Sequence, residues 1–106
     1  MTDATPHTQT PAGWRTPEVD DLCEALLALR TPDEVASFLR DVCSLHELEV
    51  LSHRWHAARL LDQGVPYARV AQRVHGSTTT VTRVAHWLRH GEGGYRLVLD
   101  RLAERP

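Results

Sequence analysis

Between residues 17 and 64, apolar side chains recur every three or four positions, the period of an amphipathic helix. Three helical runs follow from this pattern: one from Pro17 to about residue 30, one from about Pro32 to Cys43, and one from Leu45 to Gly64. The spacing of the third run predicts a buried stripe formed by Leu45, Leu48, Leu51, Trp55, Ala58 and Leu61. Gly64 suits the position just beyond a helix C-terminus.

Residues that favour a helix N-terminus precede these runs. Thr31 and Ser44 each have a glutamate three residues later, at Glu34 and Glu47. That spacing is typical of a capping box, in which the cap side chain and the glutamate each accept a backbone N–H. No segment alternates apolar and polar residues as a strand would. The sequence therefore predicts an all-α fold of about six helices.

Residues 66–90 carry the pattern of a helix-turn-helix. A short helix over residues 66–74 is predicted to direct Val70, Ala71 and Val74 inward. His75 and Gly76 then form a tight turn, for which Gly76 supplies backbone freedom. Ser77 is placed to cap a second helix, whose inward positions are Val81, Val84 and Leu88.

The net charge of −2 is unevenly divided along the chain. Residues 1–49 contain three arginines and ten acids, whereas residues 50–106 contain nine arginines and four acids. No acid lies between Val65 and Glu92. This distribution favours an anionic partner for the second half of the chain.

The candidate DNA-binding residues follow from the docking geometry of helix-turn-helix proteins. The start of the second helix enters the major groove, where Thr meets base edges or the thymine methyl and Arg meets guanine or phosphate. The first helix contacts phosphates, which position the protein without reading sequence. The candidates in the helix-turn-helix are Tyr67, Arg69, Gln72, Arg73, Ser77, Thr78, Thr79, Thr80, Thr82 and Arg83. Arg54, in the preceding long helix, is a further candidate. The alternative interpretation is a helical interaction module that docks an acidic protein.

Enzyme and metal chemistry find little support in the sequence. There is no nucleophile elbow and no pair of carboxylates at catalytic spacing, and the glycines of residues 91–94 lack the strand that precedes a phosphate-binding loop. The pairs His86/His90 and His53/His56 each offer two imidazoles on one helix face, without a convincing third ligand. We therefore expect no enzymatic activity, no metal site and no cofactor.

The N-terminal segment is predicted to be less ordered than the helices. Residues 1–16 are rich in Thr and Pro and are expected to form a flexible arm before a folded domain of residues 17–106. Leu97, Val98 and Leu102, near the C-terminus, are placed to pack against a partner subunit.

No apolar run reaches the roughly 18 residues of a membrane span. With no signal-peptide pattern, a cytoplasmic location is expected.

The stretch from about Leu22 to Leu102 resembles the tryptophan-repressor-like family. Three segments match: LHELEVLSHRWHAARLLDQG, the helix-turn-helix with TVTR at residues 80–83, and GEGGYRLVLDRL at residues 91–102. The last segment is similar to the corresponding segment of a less characterised branch of the family. The resemblance implies an intertwined homodimer that acts as a transcriptional repressor. Its two recognition helices would read a palindromic operator in double-stranded DNA, with half-sites roughly 34 Å apart.

The resemblance also implies a candidate effector pocket. The best-known members of the family hold tryptophan as corepressor between two arginines, and Arg54 and Arg83 stand at the matching places. A glycine of those members is Val84 here, and a serine that helps to hold the amino group is Trp87. These larger side chains are expected to fill the pocket, so we do not expect tryptophan to act as corepressor.

Overall fold

The computed structural model describes residues 13–105, in which there are six helices and no strand. The helices are α1 (Pro17–Leu27), α2 (Pro32–Val42), α3 (Leu45–Asp62), α4 (Tyr67–Arg73), α5 (Thr78–His90) and α6 (Gly94–Ala103). The predicted all-α fold of about six helices is confirmed. Within the described range, every helix is too short or too polar to cross a membrane.

Residues 1–12 and 106 lie outside the described residues. Most of the predicted arm over residues 1–16 therefore cannot be compared with the structure, and the division into an arm and a domain of residues 17–106 stays a prediction. At the end of that segment, the Thr16 side chain accepts a hydrogen bond of 3.2 Å from the Val19 backbone N–H. Thr16 is thus the N-cap of α1.

The described residues divide into two compact units, with the boundary between Val42 and Cys43. The first contains α1 and α2, neither of which has a buried residue. The Thr31 hydroxyl accepts from the Glu34 backbone N–H at 3.1 Å, as predicted. The Glu34 carboxylate, however, accepts from Arg30 N–H at 2.8 Å, one residue before the cap. The capping box predicted for α2 is therefore only half formed.

The second unit begins with a complete capping box at α3. Ser44 Oγ accepts from Glu47 N–H at 3.1 Å, and Glu47 Oε1 accepts from Ser44 N–H at 2.8 Å. Hydrogen bonding of the Glu47 carboxylate to the Ser44 backbone N–H, and after it to the Ser44 side chain, lowers the pKa of Glu47. At the other end, Gly64 has a φ of +86°, the left-handed conformation that favours glycine. Both predicted ends of α3 are confirmed.

The hydrophobic core of the second unit joins the second half of α3 to the helix-turn-helix. Ala57 and Ala58 have no exposed surface, and these small side chains let helices approach closely. Trp55, Leu61 and Tyr95 pack against the core from its edge. The core cluster consists of Ala57, Ala58, Leu60, Val70, Ala71, Val74, Val81 and Val84.

The predicted apolar stripe of α3 is partly wrong, whereas that of α6 is not tested. Leu45 and Leu51 of α3 are exposed, and the core takes Ala57 and Leu60 from that helix instead. The reason is that the buried side chains of α4 and α5 meet α3 only in its second half. In α6, Leu97 and Val98 are exposed and Leu99 is buried; packing of the first two against a partner subunit stays a prediction.

Arg96 ties α6 to the end of α3. Its Nη1 donates to Asp62 Oδ1 at 2.8 Å and its Nη2 to Asp62 Oδ2 at 3.3 Å. Its Nε donates to Asp100 Oδ1, one turn along α6, at 2.9 Å. Nearby, the rings of Trp55 and Tyr95 stack with their centroids 6.4 Å apart. Together these contacts hold α6 against the helix that carries the core.

We expect the attachment of α6 to weaken in acid. The hydrogen bond from Arg96 lowers the pKa of Asp62. A carboxylate with a lowered folded-state pKa adds stability above its unfolded pKa of about 4, and this stability is lost as the pH falls through the folded value. Denaturant midpoints at about pH 5 and pH 2.5 should therefore differ more for the wild type than for Asp62→Asn, by a small amount because the pair is exposed. Equal shifts would contradict this.

Candidate nucleic-acid interface

Residues 74–77 form the turn between α4 and α5. His75 has a φ of +54°, so the left-handed residue is His75 and not Gly76, to which the sequence assigned the backbone freedom. The Gly76 N–H donates to the Ala71 carbonyl oxygen at 3.1 Å, closing the turn. Ser77 Oγ accepts from Thr80 N–H at 3.1 Å and caps α5, as predicted. The predicted helix over residues 66–74 is shorter, because Pro66 is its cap.

The polar side chains of the two helices lie on the surface of the unit. Among residues 65–91 there is no carboxylate side chain to oppose the arginines. The exposed members of this surface are Tyr67, Arg69, Gln72 and Arg73 on or beside α4, and Thr78, Thr79, Thr82 and Arg83 on α5. We call this set the α4–α5 face. Most of the predicted DNA-binding residues belong to it.

The arginines of the α4–α5 face are not neutralised by neighbours. Within residues 13–105, Arg69, Arg73 and Arg83 form no ion pair or side-chain hydrogen bond. Arg96, away from this face, is in contrast bound to two carboxylates. Three uncompensated guanidinium groups, each able to donate two parallel hydrogen bonds, are suited to phosphate or to a guanine edge.

A shallow groove of about 400 Å³ runs along the exposed side of α5. It is lined by Thr78, Thr79, Thr82, Arg83 and His86. We call it the outer groove. Pairs of these residues are three or four positions apart, so they form one stripe along the helix. The stripe begins at the N-terminal end of α5, the end that sequence analysis assigned to the major groove.

The other three predicted DNA-binding residues, Arg54, Ser77 and Thr80, have different surroundings. The Ser77 and Thr80 hydroxyls lie 3.2 Å apart, and Ser77 is occupied by its capping bond. Thr80 is half-buried and, like Arg54 of α3, lines a cavity inside the unit. The structure therefore does not bring Arg54 and Thr80 together with the outer groove. Their contact with DNA stays a prediction.

The cavity that Thr80 and Arg54 line has a volume of about 570 Å³, and we call it the inner cavity. The four predicted effector-pocket residues, Arg54, Arg83, Val84 and Trp87, all line it. The expectation that Val84 and Trp87 fill the space is not met: the first is buried in the core cluster and the second is half exposed. The lining residues that sequence analysis missed are Val50, His53, Val74, Gly76, Thr80 and Tyr95.

The inner cavity has an unbalanced charge. Arg54 and Arg83 line it together with His53, and none of the lining residues is an acid. Tyr95 lies at its edge, where burial raises the pKa of the phenol and the positive charge of Arg54 partly offsets that rise. Arg83 lines both the inner cavity and the outer groove. The cavity is therefore suited to an anionic group.

The predicted histidine pairs do not gather further ligands. The rings of His86 and His90 lie 5.2 Å apart between centroids, on the same face of α5. Over residues 13–105, no three His, Cys, Asp or Glu side chains are grouped so as to hold a metal ion.

Comparison with known proteins agrees with this architecture. Residues 17–103, from α1 to the end of α6, match the family described as Trp repressor protein. The chain belongs to the Trp repressor family. This confirms the resemblance seen in the sequence, and the match includes the whole helix-turn-helix. The Trp repressor family is in general one of DNA-binding regulators that form dimers, which gives the α4–α5 face its functional context.

Individual relatives show the same similarity. YerC, an uncharacterised protein of Bacillus subtilis (strain 168), is 33% identical over 87 residues, which cover 82% of this chain and 84% of YerC. A TrpR-like protein from Eubacterium eligens has a crystal structure that superposes with a TM-score of 0.80 at 35% identity, covering 87% of this chain and 95% of that one. A Staphylococcus aureus structure gives a TM-score of 0.79 at 34% identity, covering 86% and 91%.

Proposed function

We propose that this member of the Trp repressor family is a sequence-specific DNA-binding transcriptional regulator, acting as a repressor. The observation that carries the proposal is the α4–α5 face: unpaired guanidinium groups and exposed threonines surround the start of α5, and no carboxylate lies among residues 65–91. This is the composition that a major-groove helix and its phosphate contacts require. We expect no enzymatic activity and no cofactor.

We further propose that the chain acts as a homodimer. Leu26, Val42, Leu45 and Leu51 are between 40% and 61% exposed, although each lies on the apolar side of a helix. Leu26 and Val42 belong to the first unit and Leu45 and Leu51 to the second, and exposed apolar side chains on each unit favour burial against another chain. A second copy is the partner that the family in general implies. Two-fold symmetry would place two α5 helices roughly 34 Å apart, which calls for a palindromic operator.

The experiment that tests the proposal is selection of bound fragments from genomic DNA by the purified protein at about 150 mM salt, where non-specific phosphate binding is weak. We expect enrichment of a palindrome with half-sites one helical turn apart. If the folded, dimeric protein enriches no sequence and instead binds acidic proteins, the alternative of an interaction module that docks an acidic partner is correct. The α4–α5 face offers few large apolar side chains as anchors for such a partner.

Arg83 is the residue of the outer groove whose removal should affect specificity most. If its guanidinium donates to a guanine edge, Arg83→Ala should weaken operator binding by about 1 to 3 kcal/mol per half-site and leave random-sequence binding less affected. Arg89→Ala is the matched control, because Arg89 is an exposed arginine of α5 outside the groove. Affinities for operator and random DNA are compared by fluorescence anisotropy. Equal losses on both DNAs would show that Arg83 contacts only phosphate.

We expect free tryptophan to leave operator binding unchanged. The inner cavity has room for a ligand, but its lining holds two arginines and no carboxylate, so the ammonium group of an amino acid would lack an ionic partner. Trp87 also occupies the wall where the best-known members of the family have a serine. Calorimetric titration with tryptophan, followed by operator binding at a saturating concentration, tests this expectation. A tryptophan-dependent increase in affinity would contradict it.

A further inference from the structure

At the N-terminal end of α5, some side-chain hydroxyl groups are already hydrogen-bonded and others are free. Ser77 Oγ is occupied by the Thr80 N–H, and the Thr80 hydroxyl lies 3.2 Å from it beside the inner cavity. Thr78, Thr79 and Thr82 are exposed, form no side-chain hydrogen bond within residues 13–105, and line the outer groove. Three threonines therefore remain for contact with a partner.

The chemistry of this stripe is narrow. Residues 77–90 contain no Asn, Gln, Asp or Glu, so α5 lacks both the amide that pairs with adenine and the carboxylate that accepts from cytosine. Arg83 is the one guanidinium that lines the outer groove, and it suits guanine. Of the other lining residues, His86 supplies an imidazole farther along the helix, and the three threonines near its start supply hydroxyls and methyl groups. A hydroxyl rotates and both donates and accepts, so it discriminates weakly between bases.

The methyl group of a threonine discriminates between bases better than its hydroxyl group does. In the major groove only thymine presents a methyl group, at C5, and contact between it and a threonine methyl excludes water from both. Thr78, Thr79 and Thr82 bring three such methyl groups to one groove beside the guanidinium of Arg83. An apolar contact of this kind distinguishes thymine from cytosine, and it needs no ordered hydrogen-bond partner.

We propose that Thr78, Thr79 and Thr82 determine specificity by contacting the C5-methyl groups of thymines in each half-site. This inference rests on the proposed function and adds the base type that the α5 helix reads. It assigns the threonine hydroxyls a minor part. The operator should accordingly contain thymines at the positions facing the start of α5.

The test uses the full-length protein and the palindrome enriched from genomic DNA. Each thymine of the half-site is replaced in turn by deoxyuridine, which removes the C5-methyl group and leaves every hydrogen-bonding group in place. We expect affinity to fall about fourfold per contacted methyl in each half-site, the free energy of burying one methyl-sized group. Thymines outside the half-sites are the internal control and should be insensitive.

Two protein variants separate the methyl from the hydroxyl. A triple Thr→Val variant at residues 78, 79 and 82 keeps a methyl group at each position, and a triple Thr→Ser variant keeps only the hydroxyl. We expect the valine variant to retain affinity and sensitivity to deoxyuridine, and the serine variant to lose both. All three positions are exposed, and circular dichroism checks that the helices persist.

The outcomes distinguish this inference from the proposed function. If the protein prefers its operator over random DNA but every deoxyuridine operator binds equally well, sequence-specific binding stands and thymine-methyl reading is wrong. Retained affinity in the serine variant with loss in the valine variant would assign the reading to the hydroxyls and overturn the inference. Failure to enrich any sequence would overturn the proposed function and this assignment with it.

Discussion

Raising the salt concentration from 50 to 200 mM should weaken operator binding by roughly 10⁴-fold. The expectation assumes about eight phosphate contacts per dimer, to which the unpaired Arg69, Arg73 and Arg83 of each α4–α5 face contribute. If about eight phosphates are neutralised, an equal number of condensed counterions is released, and log affinity falls with log salt at a slope of about −7. The measurement is the dissociation constant on a labelled operator at four or five salt concentrations.

The control for this prediction compares the removal of two arginines inside the proposed interface with the removal of one arginine outside it. Arg69→Ala combined with Arg73→Ala should reduce the steepness of the slope by up to about 4, because a dimer loses four phosphate contacts. Arg101→Ala, on the exposed surface of α6, should leave the slope unchanged. A slope that is shallow in the wild type, or that responds equally to both sets of changes, would show that the α4–α5 face does not bind the phosphates.

Ala71→Asp should unfold the helix-turn-helix, with a loss of about 3 kcal/mol or more in the free energy of unfolding. Ala71 is 7% exposed and belongs to the core cluster with Val70 and Val81, which have no exposed surface. A carboxylate placed there would be desolvated without a cationic partner, and it would overfill the space between α4 and α5. Denaturation followed by circular dichroism measures the change.

Ala68→Asp provides the matched control, since Ala68 lies on the same helix three residues earlier and is exposed. The same substitution should change stability by less than about 0.5 kcal/mol there, because the new charge stays in water near a helix N-terminus. Similar losses for both variants would mean that α4 is not packed as described. Retained stability of Ala71→Asp would have the same meaning.

The parts of the fold that sequence analysis predicted are those that local chemistry determines. Ser44 and Glu47 make both bonds of a capping box because the two residues are three positions apart. Ser77 caps α5 for the same reason, and Gly64 takes the conformation that other residues avoid. Each of these features depends on a few neighbouring residues, so the sequence pattern was sufficient.

The parts that were missed depend on which segments meet in space. Leu45 and Ala58 both fit the periodic stripe of α3, but only Ala58 lies where α4 and α5 pack. Periodicity identifies a face of a helix and does not say which length of that face has a neighbour. The positive φ at His75 was missed because Gly76 is the residue type expected to adopt it.

The candidate site also has one part that the sequence predicts and one part that it does not. The threonines of α5 share a face because of helical spacing, and this could be predicted. The inner cavity could not, because the sizes of Val84 and Trp87 suggested closure. Val84 instead packs into the core cluster, and about 570 Å³ remains open beside it. Val84 and Trp87 both line this space, and neither fills it.

Arg83 lines both the inner cavity and the outer groove, and this position has a thermodynamic consequence. The cavity and the groove lie on different sides of this side chain, so if the Arg83 side chain turns inward to bind a molecule in the cavity, its guanidinium moves away from the proposed base contact. Binding of DNA and binding of the small molecule are then linked. The factor by which the molecule lowers the affinity for DNA equals the factor by which DNA lowers the affinity for the molecule. Small anions and operators would compete for a single side chain without touching each other.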